Sequence, residues 1–286
     1  MTSRPLVTHV SDTARWVAAR RAIESERPDA LFKDPLASRL AGERGHQIAA
    51  QAGLAIGDDW YLVTRTKLID DYVTEAIDAG CDLVLNLAAG FDTRPYRMAL
   101  PDELRWIEVD LPAVVNEKNA LLADQQPRCR LTRAAVDLTD TAAVATFLDD
   151  ALTGAHKALV LTEGLVMYLQ ADDVVALSSA FTRTEIAWWS LDFSAAGTAE
   201  LATDRVEGLL SHAPWTFLPP DGVAFFENLG WEVSSLEPVF TAAGRYNRLP
   251  PQMRGALDNP QPDPRAPGPR PYSAVIRLTP ATRPTT

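Results

Sequence analysis

The sequence predicts an α/β fold built on a mostly parallel sheet, and two observations lead there. From Asp82 onward, short apolar runs alternate with helical ones, the order that covers both faces of a parallel sheet. The first of those runs, Leu83-Val84-Leu85-Asn86-Leu87, ends in the small residues Ala88, Ala89 and Gly90 and then a polar turn, Phe91-Asp92-Thr93-Arg94. Residues without bulk at that place let a ligand approach the main chain where open α/β sheets bind their ligands.

The elements follow in order. Ser11 or Asp12 caps a first helix in which Ala14, Val17, Ala18 and Ile23 recur near helical spacing, and Pro28 ends it. Leu31 to Leu36 form a turn into a second, short helix. A third runs from about Asp58 to Ala79 with Leu62, Leu68, Ile69, Tyr72, Val73 and Ile77 on its apolar side, closed by Gly80. Core strands are expected at Leu83–Leu87, Trp106–Val109, Arg130–Ala134, Ala158–Thr162 and Ile186–Phe193. Pro112 suits the first turn of a helix over Ala113–Leu122, and Asp140 caps one over Thr141–Leu152. A helix through Phe225 and Phe226 stops at Gly230; strands Trp231–Leu236 and Ser273–Leu278 complete the pattern.

Two segments break the rhythm. Residues 195–220 separate a strand from its following helix, where a lid over the ligand is expected. The proline-rich stretch 250–271 reads as a long extended connection. This divides the chain into an N-terminal helical extension, residues 1–80, that packs on the ligand site, and a main domain, residues 81–286.

Composition bounds the function. At 286 residues with 47% hydrophobic content the chain can bury a full core, and a formal charge of −11 argues against nucleic acid or an anionic membrane as partner. Cys81 and Cys129 are the only cysteines and read as buried free thiols. The start lacks the apolar core of a signal peptide and no run reaches the ~20 apolar residues of a membrane helix, so a cytoplasmic protein is expected.

The ligand signal gains a second half at Arg105-Trp106-Ile107-Glu108-Val109-Asp110, an apolar strand ending in a carboxylate suited to a ribose diol. A G-x-G-x-x-G fingerprint is absent, because Ala88 and Thr93 stand where two of its glycines belong; this disfavours a dinucleotide and leaves a nucleoside cofactor without a pyrophosphate.

Several ordered motifs then carry a resemblance. Thr13-Ala14-Arg15-Trp16, Asp29-Ala30-Leu31-Phe32-Lys33-Asp34-Pro35, Arg65-Thr66-Lys67-Leu68-Ile69-Asp70, Ala89-Gly90-Phe91-Asp92-Thr93-Arg94, Glu108-Val109-Asp110-Leu111-Pro112 and Thr162-Glu163-Gly164-Leu165-Val166-Met167-Tyr168-Leu169 resemble those of the leucine carboxyl methyltransferase family, including its bacterial branch of S-adenosylmethionine-dependent and polyketide O-methyltransferases. The family has Gly-Ala-Gly where this chain has Ala88-Ala89-Gly90. The resemblance implies a class I, Rossmann-like methyltransferase fold, with a seven-stranded sheet whose last strand is antiparallel, and S-adenosyl-L-methionine as cofactor. It also implies roles: Asp110 holds the ribose hydroxyls, Asp137 and Leu138 border the adenine, and Ala88 and Gly90 lie against the cofactor. Lys33 and Arg65 pair with the methionyl carboxylate or the acceptor, Glu163 receives the ammonium group, and Tyr168 faces the acceptor. Arg65 and Tyr168 are the candidate catalytic residues. Arg94 and Arg97 either bind an acidic acceptor or staple the turn.

Methyl transfer from a sulfonium is an in-line displacement, so alignment and water exclusion dominate and no metal is needed. A carboxylate acceptor, pKa roughly 4, is already ionised at neutral pH, whereas a phenol near ~10 benefits from a base. His46 and His212 are the conceivable bases, yet neither sits in a matched motif. The expected reaction is therefore methylation of a small-molecule carboxylate, with a phenolic or enolic oxygen as the alternative and a catalytically silent cofactor-binding regulator as the competing class.

Overall fold

The computed structural model describes residues 10–56, 60–205 and 214–281, without the side chains of residues 10, 11, 53–56 and 201–205. Three helices come first: α1 (Val10–Glu26), α2 (Ala37–Ile56) and α3 (Trp60–Asp78). The second is far longer than the short helix expected. It bends at Gly42, whose φ of 57° only glycine adopts freely, and this kink lets two helical pieces follow one another around α1. Gly45 is where the two helices touch: a Cβ there would lie 2.6 Å from the Arg15 carbonyl oxygen.

The alternating part then runs β1 (Leu83–Leu87), the single-turn α4 (Arg94–Arg97), β2 (Arg105–Asp110), α5 (Pro112–Leu121), β3 (Arg130–Ala135), α6 (Thr141–Ala151), β4 (Ala158–Thr162), α7 (Ala171–Ala180), β5 (Ile186–Ser194), α8 (Ala196–Arg205), α9 (Ala224–Asn228), β6 (Trp231–Pro238), α10 (Val239–Arg245) and β7 (Ser273–Pro280). The Asp140 carboxylate does cap α6, accepting from the backbone N–H groups of Ala142 and Ala143 at 3.0 Å. Stretch 250–271 departs from the extended connection expected. Pro251–Asp258 form 3₁₀ turns and Asp263 bridges Ala266, because proline's fixed φ suits the first position of a turn as well as an extended strand.

One seven-stranded sheet, in the order β3-β2-β1-β4-β5-β7-β6, organises these elements. Strands β1 to β5 pair in parallel, and β7 inserts antiparallel between β5 and β6. Period-2 alternation splits the buried β1 between two cores. Leu83, Leu85 and Leu87 pack with Leu148 of α6, Leu177 of α7 and Phe226 of α9. Val84 faces the other way, into a core with Leu68, Ile69 and Val73 of α3 and Val239 of α10. A third cluster joins Trp16 and Ala19 of α1 and Leu40 and Ile48 of α2 to Phe91, Val114 and Leu122. Thus α3 belongs to the helical layer of the sheet, while α1 and α2 sit over the carboxyl ends of β1 and β2. Cys81 and Cys129 are buried free thiols, pushed up to about 11 and about 12 by burial. Among the described residues no helix is long and apolar enough to cross a membrane.

Candidate active site

Strand order reverses between β1 and β4, and a doubly wound sheet opens its ligand crevice beyond the carboxyl ends of strands at that point. A cavity of about 1200 Å³ lies there, large enough for a nucleoside cofactor and a second small molecule together.

The turn after β1 forms its first wall. Ala88 and Gly90 both adopt the left-handed conformation, at φ 55° and 47°, with Ala89 between them donating to the Val109 carbonyl at 3.0 Å. For Ala88 this conformation costs about 1–2 kcal/mol relative to the ordinary helical one, whereas Gly90 carries no such cost. Packing also calls for glycine at 90, since a Cβ would meet the Ala14 methyl of α1 at 3.2 Å. Asp110, at the end of β2, ties the two loops together: one carboxylate oxygen accepts from the Gly90 N–H at 2.7 Å, the other from the Leu111 N–H at 2.8 Å. Burial raises its pKa, and those two N–H groups offset only part of the effect.

Deeper in the wall lies a continuous ionic chain. Asp192 of β5 is fully buried and accepts from Tyr61 at 3.2 Å, Arg65 at 3.0 Å and the Gly164 N–H at 2.6 Å. Arg65 also donates through Nε to Glu163 at 3.1 Å. The second Glu163 oxygen accepts from Arg94 at 2.7 Å, and Arg94 goes on to Asp92 at 2.8 Å and Asp70 at 2.7 Å. Arg97 closes the chain with a two-nitrogen fork onto Asp70, both distances 2.7 Å. Helical spacing explains why α3 supplies so much of this: Tyr61 and Arg65 lie one turn apart on the same face.

The balance of that chain is three guanidiniums, Arg65, Arg94 and Arg97, against four carboxylates, Asp70, Asp92, Glu163 and Asp192. Burial opposes ionisation of Glu163, but Arg94 and Arg65 outweigh it and hold its pKa below the ordinary value. Asp92 is likewise lowered, burial being overcome by Arg94 and then Lys118. The guanidiniums stay charged because their carboxylates overcome the same desolvation. Gly164 completes the cradle: with φ 63°, it leaves the Arg65 guanidinium a path that a Cβ would obstruct at 3.2 Å. The carboxylates therefore suit a ligand bearing a cationic group and a diol.

Of the residues expected from sequence, the structure brings Arg65, Ala88, Gly90, Asp110, Glu163 and Tyr168 into one cavity wall. Three stand outside it. The Lys33 ammonium is exposed and donates to the carbonyls of Ser25 and Arg27 at 2.5 and 3.1 Å; its neighbour Asp34 is the buried one, gripped by Arg21 at 2.8 Å and Thr93 at 2.5 Å. Asp137 accepts from the Thr139 N–H and hydroxyl at 3.0 and 2.8 Å, so Thr139 reaches the wall in its place. Leu138 packs against the sheet core with Val144 and Leu177. Arg65 enters the site already neutralised by two carboxylates, which corrects the expectation of a cation free to hold an acceptor. Arg94 and Arg97 act as staples of the turn.

The rest of the lining is largely apolar, with Trp60, Phe240, Met253, Trp215 and Tyr272 beside the polar Asn259, Gln261 and Arg270. Burial raises the phenols of Tyr168 and Tyr272, the latter to about 12, so both stay protonated at neutral pH. His46 is an exposed residue of α2, 3.1 Å from the Ser38 hydroxyl, and His212 lies outside the described residues. Of the segment 195–220, Thr198 and Trp215 reach the cavity, and residues 206–213 lie outside the described residues. Among the described residues no cluster suited to a metal ion occurs. Asp192, Asp92, Asp70 and Tyr61 were missed from sequence. Asp192 carried a signal, since a carboxylate inside the apolar run Trp188–Phe193 must meet a cation if the strand is buried.

The strand order, the antiparallel insertion and the crevice at the β1/β4 reversal define a class I, Rossmann-like methyltransferase fold. The chain belongs to the leucine carboxyl methyltransferase family, whose profile matches residues 14–182. It is similar to a proposed S-adenosyl-L-methionine-dependent methyltransferase of Streptomyces coelicolor, 33% identical over 262 residues covering 84% of this chain and 90% of that protein. A Streptomyces avermitilis relative described in the same words is 32% identical, with 84% and 90% coverage. Among solved structures, the fold is similar to a proposed methyltransferase of Thermobifida fusca, TM-score 0.60 at 16% identity, covering 94% of both chains. A DUF574 family protein of Streptomyces avermitilis follows, with TM-score 0.57, 16% identity and coverage of 91% and 96%.

Proposed function

We propose that this protein is an S-adenosylmethionine-dependent O-methyltransferase that converts the carboxylate of a small, largely apolar acceptor into its methyl ester. One observation carries the reading: a single cavity joins a half built for a cationic nucleoside to an apolar half whose phenols are held protonated. When bound, S-adenosylmethionine supplies an electrophilic methyl group on a sulfonium.

The chain's own residues do the rest. Asp110, pinned by the Gly90 and Leu111 N–H groups, presents its remaining lone pairs to ribose hydroxyls. Glu163, held by Arg65 and Arg94 in a cluster with one more carboxylate than guanidinium, takes the ammonium group. Arg65 is a positioning residue that aims Glu163 and secures Asp192. Trp60, Phe240 and Met253 exclude water from the acceptor half, and Tyr168 donates a hydrogen bond to an oxygen anion there and does not remove a proton. An acceptor ionised before it arrives suits this arrangement, which favours a carboxylate over a phenol.

Calorimetry with S-adenosylhomocysteine, followed by transfer of labelled methyl groups to a panel of aromatic acids and phenols, tests the reading. Label released as methanol in mild base is expected. A base-stable product overturns the ester, and absence of S-adenosylhomocysteine binding overturns the cofactor.

A further inference from the structure

Among the described residues, four arginines line the cavity: Arg21, Arg65, Arg94 and Arg270. Arg21 is paired with Asp34, and Arg65 and Arg94 belong to the ionic chain. Arg270 differs. It is an exposed residue at the cavity lining, and its side chain donates once, through Nη1 to the Pro260 carbonyl at 3.0 Å, with no carboxylate paired to it among the described residues.

Two residues on, Tyr272 lines the same half. It is 4% exposed, and its hydroxyl is buried with no hydrogen-bond partner among the described residues, leaving a donor for a ligand or an ordered water to complete. The backbone carrying both side chains is fixed. The Tyr272 carbonyl accepts from the Ala195 N–H at 2.9 Å and the Thr198 hydroxyl at 2.8 Å, and its N–H donates to the same hydroxyl at 2.8 Å. Gly197 lets residues 269–270 lie directly on the start of α8, since a Cβ there would sit 2.1 Å from the Pro269 oxygen. With the backbone fixed, only the two side chains lose freedom when they bind a ligand.

We infer that Arg270 and Tyr272 form the anion-recognition pair of the acceptor half and select an apolar small molecule bearing a carboxylate. The inference rests on the methyltransferase reading for calling that half the acceptor site. A planar guanidinium with free N–H groups matches a carboxylate, and the phenol adds a neutral donor. Neutral esters lose the charge-assisted part of this recognition, so the site distinguishes an acid from its methyl ester.

The test uses the full chain, with 2-naphthoate and methyl 2-naphthoate as probes in calorimetry, with and without saturating S-adenosylhomocysteine. Naphthoate is expected to bind about tenfold or more tightly than the ester. Arg270→Gln removes that preference, Arg270→Lys keeps part of it, and Tyr272→Phe weakens naphthoate by about two- to fivefold. S-adenosylhomocysteine affinity stays within about twofold in every variant. Absent naphthoate binding, equal binding of acid and ester, or a preference that survives Arg270→Gln each overturns the inference. Failure of S-adenosylhomocysteine to bind the unaltered protein overturns the methyltransferase reading instead, and the probe preference measured without it still decides the role of Arg270.

Discussion

Asp192 and Arg65, 127 residues apart in sequence, meet at 3.0 Å with the aspartate side chain fully buried and the arginine side chain 7% exposed. Asp192 lies on a core strand and Arg65 on the helix that covers it, so their pairing locks α3 to the sheet at the cavity wall. Removing one partner of such a pair strands the other charge in a poorly solvated site, at a cost of roughly 3–5 kcal/mol. Asp192→Ala should lose about that much in urea unfolding, and Asp192→Asn less, because the amide still accepts from the Gly164 N–H.

Asp110→Ala should weaken S-adenosylhomocysteine by about 1.5–3 kcal/mol, a tenfold to hundredfold rise in Kd, through loss of charge-assisted hydrogen bonds. Calorimetry on the folded variant reads this directly. An unchanged Kd with an unchanged thermal midpoint would remove Asp110 from the site.

Acid should destabilise the protein from the carboxylate range downward. Asp34, Asp92 and Glu163 all have folded pKa values below their ordinary values of 3.8, 3.8 and 4.5. Below those ordinary values the unfolded chain binds protons that the folded chain refuses, so the stability these groups contribute is fully present above about pH 5 and is lost as pH falls toward their folded values. Asp110 works in the opposite sense, its raised pKa favouring the fold slightly as pH drops through the same range. Three buried groups lowered against one raised set the net direction. Urea midpoints measured between pH 7 and pH 3 should fall, and Asp92→Asn should flatten the slope; midpoints independent of pH would contradict the ionic chain.

The two left-handed positions beside β1 should respond in opposite ways. Ala88→Gly relieves about 1–2 kcal/mol of backbone strain against roughly 0.5–1 kcal/mol of added chain entropy, so the thermal midpoint should hold or rise. Gly90→Ala introduces that strain and presses on Ala14, so it should cost about 1–3 kcal/mol. Differential scanning calorimetry of the two variants separates them.

Arg65→Lys keeps one charge but cannot reach Glu163 and Asp192 with separate nitrogens as the guanidinium does. Affinity for S-adenosylhomocysteine should fall because Glu163 loses its aim. Turnover per bound cofactor should fall less than affinity, the mark of a positioning residue.

Much of the architecture was legible in the chain. The bounds of β1 and β4, the glycine that closes α3 and the Asp140 cap all follow from local rules, because a buried strand needs an apolar run and a turn needs residues that tolerate its dihedrals. The turn at Ala88–Gly90 and the acid at the end of β2 were readable for the same reason, the close approach of two loops. Longer-range relations were less so. The length of α2 hid behind Gly42, which reads as a break but acts as a kink within a continuous path.

The sequence by itself determined where strands and helices form and which small residues and acids stand at the sheet's edge, since those depend on spacing and composition within a few residues. Only the tertiary structure decided which charges are spent on one another. It joined Arg65 to Asp192 and Glu163, turned Lys33 outward while drawing Asp34 inward, and left Arg270 at the cavity without a carboxylate partner among the described residues. The physical reason is that an ion pair depends on distance and burial in space, and a charge's partner is chosen by how the sheet brings remote segments together.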